Sequence, residues 1–109
     1  MVYDAFGIGW LMDVEFADEK LALIETDHAA KTGLQVSVIN SFRDKFVVIR
    51  SAPDERVLRN WKSLHYEKLE GYQDGRRSIR LNKKWRVVFT INTECSPSKI
   101  RVLAVEDYH

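Results

Sequence analysis

An α+β fold follows from three observations. Apolar residues recur at helical spacing in the first half of the chain, two-residue alternation dominates the second half, and short turns join the later runs. The expected architecture is an N-terminal strand and two helices packed on a twisted, mainly antiparallel sheet of four to five strands.

Asp13-Val14-Glu15-Phe16 alternates polar and apolar residues and predicts a short strand. Asp18 is placed to cap a helix, and Glu19 suits its positive N-terminal end. Leu21, Leu23 and Ile24 supply the buried side of that helix, and Lys31-Thr32-Gly33 is its stop. A second helix begins at Leu34, with Leu34, Val38, Phe42, Phe46 and Ile49 at three- and four-residue spacing. Val47-Val48-Ile49 suits a strand equally well, because β-branched runs favour extended backbone. Pro53 breaks the pattern, and Asp54-Glu55 opens a short helical turn through Leu58. These leucines and aromatics are read as core. Four extended runs follow: Leu64 to Leu69, Arg77 to Leu81, Trp85 to Ile91 and Ile100 to Val105. Gly71 to Gly75, Asn82-Lys83-Lys84 and Asn92 to Ser98 separate them.

The register of the central hairpin can be derived. Ile79 and Leu81 point one way along its first strand, as do Trp85, Val87, Phe89 and Ile91 along its second. Both apolar sets reach the core only if the loop has an odd number of residues, most simply Asn82-Lys83-Lys84. Arg80 then sits directly opposite Arg86 on the outer face. Like charges so placed repel, by roughly 0.2 to 1 kcal/mol. Two readings stand at this point: an anion bridges the pair, since arginine forks match phosphate oxygens, or the two arginines are solvated independently.

Composition bounds the function. The 109 residues suit one soluble domain, with 45% hydrophobic and 30% charged residues. Net charge is only +1, but its distribution is uneven. Residues 12–32 carry six acids against two lysines, whereas Arg76 to Arg86 hold six lysines or arginines and no acid. That asymmetry predicts one anion-facing surface. The single cysteine, Cys95, excludes an internal disulfide and fits a reducing compartment. No apolar run approaches the roughly 18 to 20 residues of a membrane span. Residues 1–11 lack the marks of a secretion signal and show no clear period, so they are read as an extension outside a domain at 12–109. Either Met1 or Met12 serves as the start.

The chain closes on Asp107-Tyr108-His109. In a strand, Asp107 and His109 share one face and Tyr108 takes the other. The terminal carboxylate beside His109 favours a protonated imidazole, and histidine exchanges protons near neutral pH. The alternative is a frayed or appended end. His28 and His65 are given no functional role.

The run Glu67-Lys68-Leu69-Glu70-Gly71, then Gly75-Arg76-Arg77-Ser78-Ile79-Arg80-Leu81-Asn82, then Trp85-Arg86-Val87-Val88-Phe89, and the ending Glu106-Asp107-Tyr108-His109 resemble the HigB branch of the RelE/ParE toxin superfamily. The resemblance covers about residues 64–109; the helical half fits in layout only. It implies a RelE-like fold and a cytoplasmic, metal-independent endoribonuclease with no cofactor. Such an enzyme cuts messenger RNA in the ribosomal A site and arrests translation and growth. The implied partners are the ribosome, messenger RNA and a HigA-like helix-turn-helix antitoxin, with operator DNA reached only through that antitoxin and no membrane.

By the same resemblance the catalytic positions are Arg80, Arg86, Asp107, Tyr108 and His109, with a further basic or imidazole position around residues 67–70. Arg80 and Arg86 are assigned to the phosphate, His109 to proton transfer, Asp107 to orienting it, and Tyr108 to stacking or proton movement. Arg76, Arg77, Lys83 and Lys84 are assigned to docking on RNA. The chain departs from the family pattern at Glu67 and Glu70, where many members carry His or Lys. Tyr66, Lys68 and Glu70 share a strand face, so Lys68 is a candidate for the missing cation and Glu70 for the base; weakened activity is the third reading. Two rivals to the nuclease remain, a ParE-like gyrase-binding toxin and an RNA- or antitoxin-binding module without catalysis.

Overall fold

Five strands form one sheet in the computed structural model, which describes residues 12–95 and 97–107. They are β1 (Met12–Phe16), β2 (Glu67–Lys68), β3 (Arg77–Arg80), β4 (Trp85–Asn92) and β5 (Ser98–Asp107), in the spatial order β1-β5-β4-β3-β2. β1 runs parallel to β5, and every other neighbouring pair is antiparallel. The mixed, mainly antiparallel architecture is the one the sequence predicts. The expected extension at residues 1–11 lies outside the described residues. No helix among the described residues is long and apolar enough to cross a membrane.

Helices α1 (Glu19–Ala22), α2 (Val36–Arg50) and α3 (Glu55–Asn60) accompany the sheet. The main helix, α2, buries Val38, Ile39, Phe42, Phe46 and Ile49. These meet Ile79, Val87, Phe89, Ile100 and Val102 of the sheet in one core. Phe42 and Phe46 stack with ring centroids 4.1 Å apart. The ambiguous Val47-Val48-Ile49 is helical because period 3.6 carries Ile49 onto the Phe42–Phe46 line, leaving Val47 55% exposed. At its middle, α2 is tied to the end of β3, where Ser41 Oγ donates to the Leu81 carbonyl at 2.7 Å.

Two expectations need correction. The first helix does not run from Asp18 to Gly33. Asp18 does cap α1, accepting from the Lys20 amide at 2.7 Å, but the helix gives way to 3₁₀ turns at Leu23–Glu25 and Ala29–Thr32. Thr26 causes the break: its hydroxyl donates to the Leu23 carbonyl at 2.7 Å and accepts from the His28 amide at 3.1 Å. Such local bonds offer the backbone an alternative to the helical ladder. Gly33 is the stop, with φ 79°.

The expected strand from Leu64 to Leu69 shrinks to Glu67–Lys68. Lys62–Leu64 form a 3₁₀ turn that buries Leu64 fully, and His65 reverses the chain with φ 49° and ψ 49°. Among the described residues His65 is the one non-glycine with positive φ. Left-handed backbone of this kind is uncommon outside glycine and is found where the surrounding structure over-determines it.

Candidate functional site

The β3–β4 hairpin has the derived register. Arg80 faces Arg86 directly, and Ile79 faces Val87. The loop is Asn82-Lys83-Lys84, closed by the Leu81 amide donating to the Trp85 carbonyl at 2.8 Å. Asn82 Oδ1 accepts from the Lys84 and Trp85 amides, both at 2.9 Å, which fixes the turn. With Ile79, Val87 and Phe89 buried against the helices, Ser78, Arg80 and Arg86 occupy the opposite face of the sheet.

On that face β2 adds Glu67, which pairs with Ser78, and the turn before β2 adds His65. His65, Glu67, Ser78, Arg80 and Arg86 line one pocket of about 100 Å³. Arg80 Nη1 lies 3.5 Å from His65 Nε2. The Nε atoms of both arginines are withdrawn from solvent, and both residues line the pocket. Burial strengthens what two cations exert on an incoming anion, because the effective dielectric is lower than in water.

β5 supplies the fourth strand of this face with Glu106, opposite Arg86, its carboxylate 3.7 Å from Arg86 Nη2. An irregularity sets this placement. Val88 faces Ala104 while Phe89 faces Val102, so Leu103 is an extra residue on β5. Asp107 consequently pairs with Trp85, and its Oδ2 lies 3.5 Å from Lys84 Nζ. Asp107 has further interactions besides this one. Tyr108 and His109 lie outside the described residues.

The remaining candidates are distributed elsewhere. Lys68 pairs with Arg77, which pairs with Phe89, so Lys68 belongs to the helix-side row and not to the arginine face. Glu70 lies past β2, exposed in the turn. Neither is in the pocket; Glu67 and His65 are. Arg77, expected to dock RNA, is engaged on the helix side. Its Nε donates to Tyr66 Oη at 2.8 Å and lies 3.2 Å from Glu55 Oε2, and Nη1 reaches the Gly75 carbonyl. Tyr66 in turn donates to Glu55 Oε2. Burial, and next the Glu55 carboxylate, push the Tyr66 phenol well above its ordinary range. Burial raises the Glu55 carboxyl, but the Tyr66 hydrogen bond and the charges of Arg59 and Arg77 together outweigh it and hold it below its ordinary value. Arg76 is held by Asp74 at 2.9 Å and lies over the Tyr72 ring, 4.4 Å from its centroid. Lys83 and Lys84 are exposed on the hairpin loop.

A small α+β domain that holds two opposed arginines, an imidazole and a carboxylate in a pocket on the open face of its sheet offers two cations to an anion. A family model described as RelE-like toxin of type II toxin-antitoxin system HigB matches residues 14–102, and the chain belongs to that family. It is thus a type II toxin of the RelE-like superfamily, a class that implies an antitoxin partner. Among solved structures, the chain is similar to a YoeB/ParE toxin from Agrobacterium tumefaciens, with TM-score 0.51 and 15% identity over 90% of this chain and 100% of that one. It is also similar to the structure of a YoeB dimer from Staphylococcus aureus, with TM-score 0.47 and 17% identity over 90% of this chain and 97% of that one. No curated protein matches the chain. The Agrobacterium structure supports the fold.

Proposed function

We propose that this toxin is a ribosome-dependent, metal-independent endoribonuclease that cleaves messenger RNA in the A site and so arrests translation in the cytoplasm. The observation that carries the reading is the directly opposed Arg80–Arg86 pair sharing a pocket with His65 and Glu67. Two like charges at adjacent cross-strand positions repel each other, and a bound phosphate turns that repulsion into attraction from both sides.

The chemistry needs three things. The 2′-OH attacks the adjacent phosphorus, the bond from phosphorus to the 5′ oxygen breaks, and a 2′,3′-cyclic phosphate and a free 5′-OH result. A base takes the 2′ proton, an acid protonates the departing 5′ oxygen, and cations stabilise the additional negative charge on the phosphorane. Arg80 and Arg86 supply the cations. Glu67 and His65, on the same face, are the groups within the pocket that can accept and return a proton; they take the role expected of Lys68 or Glu70. His109 remains a proposed proton donor, with Tyr108 stacking on the nucleotide. Asp107, proposed from the sequence to orient it, pairs with Trp85 off the arginine row, and Glu106 is the acid beside Arg86. Lys83 and Lys84 add exposed positive charge for ribosomal RNA, and their contribution weakens with salt. The antitoxin partner is proposed to be of the HigA helix-turn-helix type.

Inducing the chain in bacteria and mapping RNA 5′ ends tests this reading. Cuts within translated codons are expected. Intact messages with broken DNA would instead assign it to gyrase poisoning, and unaffected growth would assign it to binding without catalysis. Removing His109 alone should abolish cleavage while antitoxin binding persists; unchanged cleavage would remove His109 from the mechanism.

A further inference from the structure

One residue of the pocket is polar, buried and unused by the chemistry above. Ser78 is 3% exposed and is the one buried polar residue among the described residues. It sits at the centre of the arginine face, between Glu67 on β2 and Val88 on β4, two residues before Arg80. Residues two apart on a strand lie about 7 Å from each other on the same face. Its hydroxyl forms no hydrogen bond with any described residue, and it opens into the pocket that His65, Glu67, Arg80 and Arg86 line. The rest of the residue is packed, beside Val88, itself 3% exposed, so the hydroxyl is presented to the pocket from a fixed position.

We infer that Ser78 is a substrate-positioning residue whose hydroxyl donates a hydrogen bond to one non-bridging oxygen of the phosphate held by Arg80 and Arg86. This rests on the nuclease reading and deepens it. Two guanidinium groups attract an anion as a whole, but a neutral donor fixed on the sheet selects one of its two non-bridging oxygens. It thereby fixes which way the phosphate turns, and with it the line along which the 2′-OH approaches. A serine side chain also leaves the pocket floor open, where a branched side chain would occupy it.

The test compares wild type, Ser78→Ala and Ser78→Val on ribosome-bound messages carrying an ordinary, an Rp-phosphorothioate or an Sp-phosphorothioate linkage at the scissile position. Ser78→Ala should slow cleavage of the ordinary linkage about tenfold or more, as expected for a hydrogen bond to a charged acceptor. On the diastereomer whose sulfur takes the place of the bonded oxygen, wild type is already slowed, and Ser78→Ala should cost nothing further. On the other diastereomer the tenfold loss should remain. Ser78→Val should slow all three, with a melting temperature close to that of wild type showing that the loss is not one of folding. A Ser78→Ala chain that cleaves the ordinary linkage within twofold of wild type, or loses the same factor on all three, overturns the inference while the nuclease reading stands. A wild-type chain that leaves messages intact overturns both.

Discussion

Glu55 is where a single substitution should show how the pocket is held in place. Its carboxylate, 16% exposed, joins three elements: it accepts from Tyr66 ahead of β2, faces Arg77 of β3 at 3.2 Å, and pairs with Arg59 of α3 at 3.0 Å. Glu55→Ala removes the acceptor from a largely buried cluster and leaves the other members behind. Breaking a fully buried pair costs about 3–5 kcal/mol. Arg77 is 22% exposed and keeps its bonds to Tyr66 and Gly75, so the expected loss is about 2–3 kcal/mol. At roughly 4 °C per kcal/mol for a domain of this size, the melting temperature should fall by about 8–12 °C. Arg59→Ala is the control: that side chain is 58% exposed, and its removal should cost under about 1 kcal/mol.

The pH dependence has a definite sign. The folded state holds the Glu55 carboxyl below its ordinary value of 4.5, so its stabilisation is present above that value and is lost as pH falls through the folded value. The gap between wild type and Glu55→Ala should therefore be widest near neutrality and close in acid. Thermal unfolding followed by circular dichroism between about pH 7 and pH 3 measures both quantities. A loss below about 1 kcal/mol, or a gap that does not narrow in acid, would refute the account of this cluster.

Three other outcomes are expected. Arg80→Ala and Arg86→Ala should each lower the cleavage rate by about 10²–10³ and relieve growth arrest, and lysine at either position should restore only part of it, as single-turnover assays on programmed ribosomes would report. Phe42→Ala, which removes a fully buried ring stacked on Phe46, should cost about 3–5 kcal/mol in guanidinium unfolding. Gly33→Ala places a Cβ where nothing lies within 4 Å, so its cost is the strain of φ 79° alone, about 1 kcal/mol, and asparagine should cost less than alanine.

How much of this was legible in the residues depends on which interaction decides each element. The hairpin was, because only one loop parity buries Ile79, Leu81, Trp85, Val87 and Phe89 together, and Arg80 opposite Arg86 then follows. The core face of α2 was legible for the same reason. The break after Glu25 was not, because the Thr26 hydroxyl competes with the helix locally while the apolar spacing continues. Nor was the placement of Glu106: without Leu103 as the extra residue, simple alternation assigns the wrong acid to the arginine face. His65 was passed over because its part in the site depends on a left-handed turn that no neighbouring glycine announces. Glu67 could have been found by pairing it with Ser78 across the Gly71–Gly75 turn, a register argument of the kind that succeeded one strand further on.

The strand order carries a consequence for synthesis. β5 is inserted between β1 and β4, so among the described residues β1 has no sheet neighbour until β5 arrives. At about 5–20 residues per second, translation leaves Met12–Phe16 waiting seconds for residues 98–102, with which they pair. The same late strand brings Glu106 against Arg86. A nascent chain therefore cannot close this sheet before β5 has emerged, and ribosomes that stall upstream of β5 release fragments lacking both the complete sheet and the carboxylate beside Arg86. For a protein read as an assailant of translating ribosomes, this topology delays its action until its own message has been read through β5.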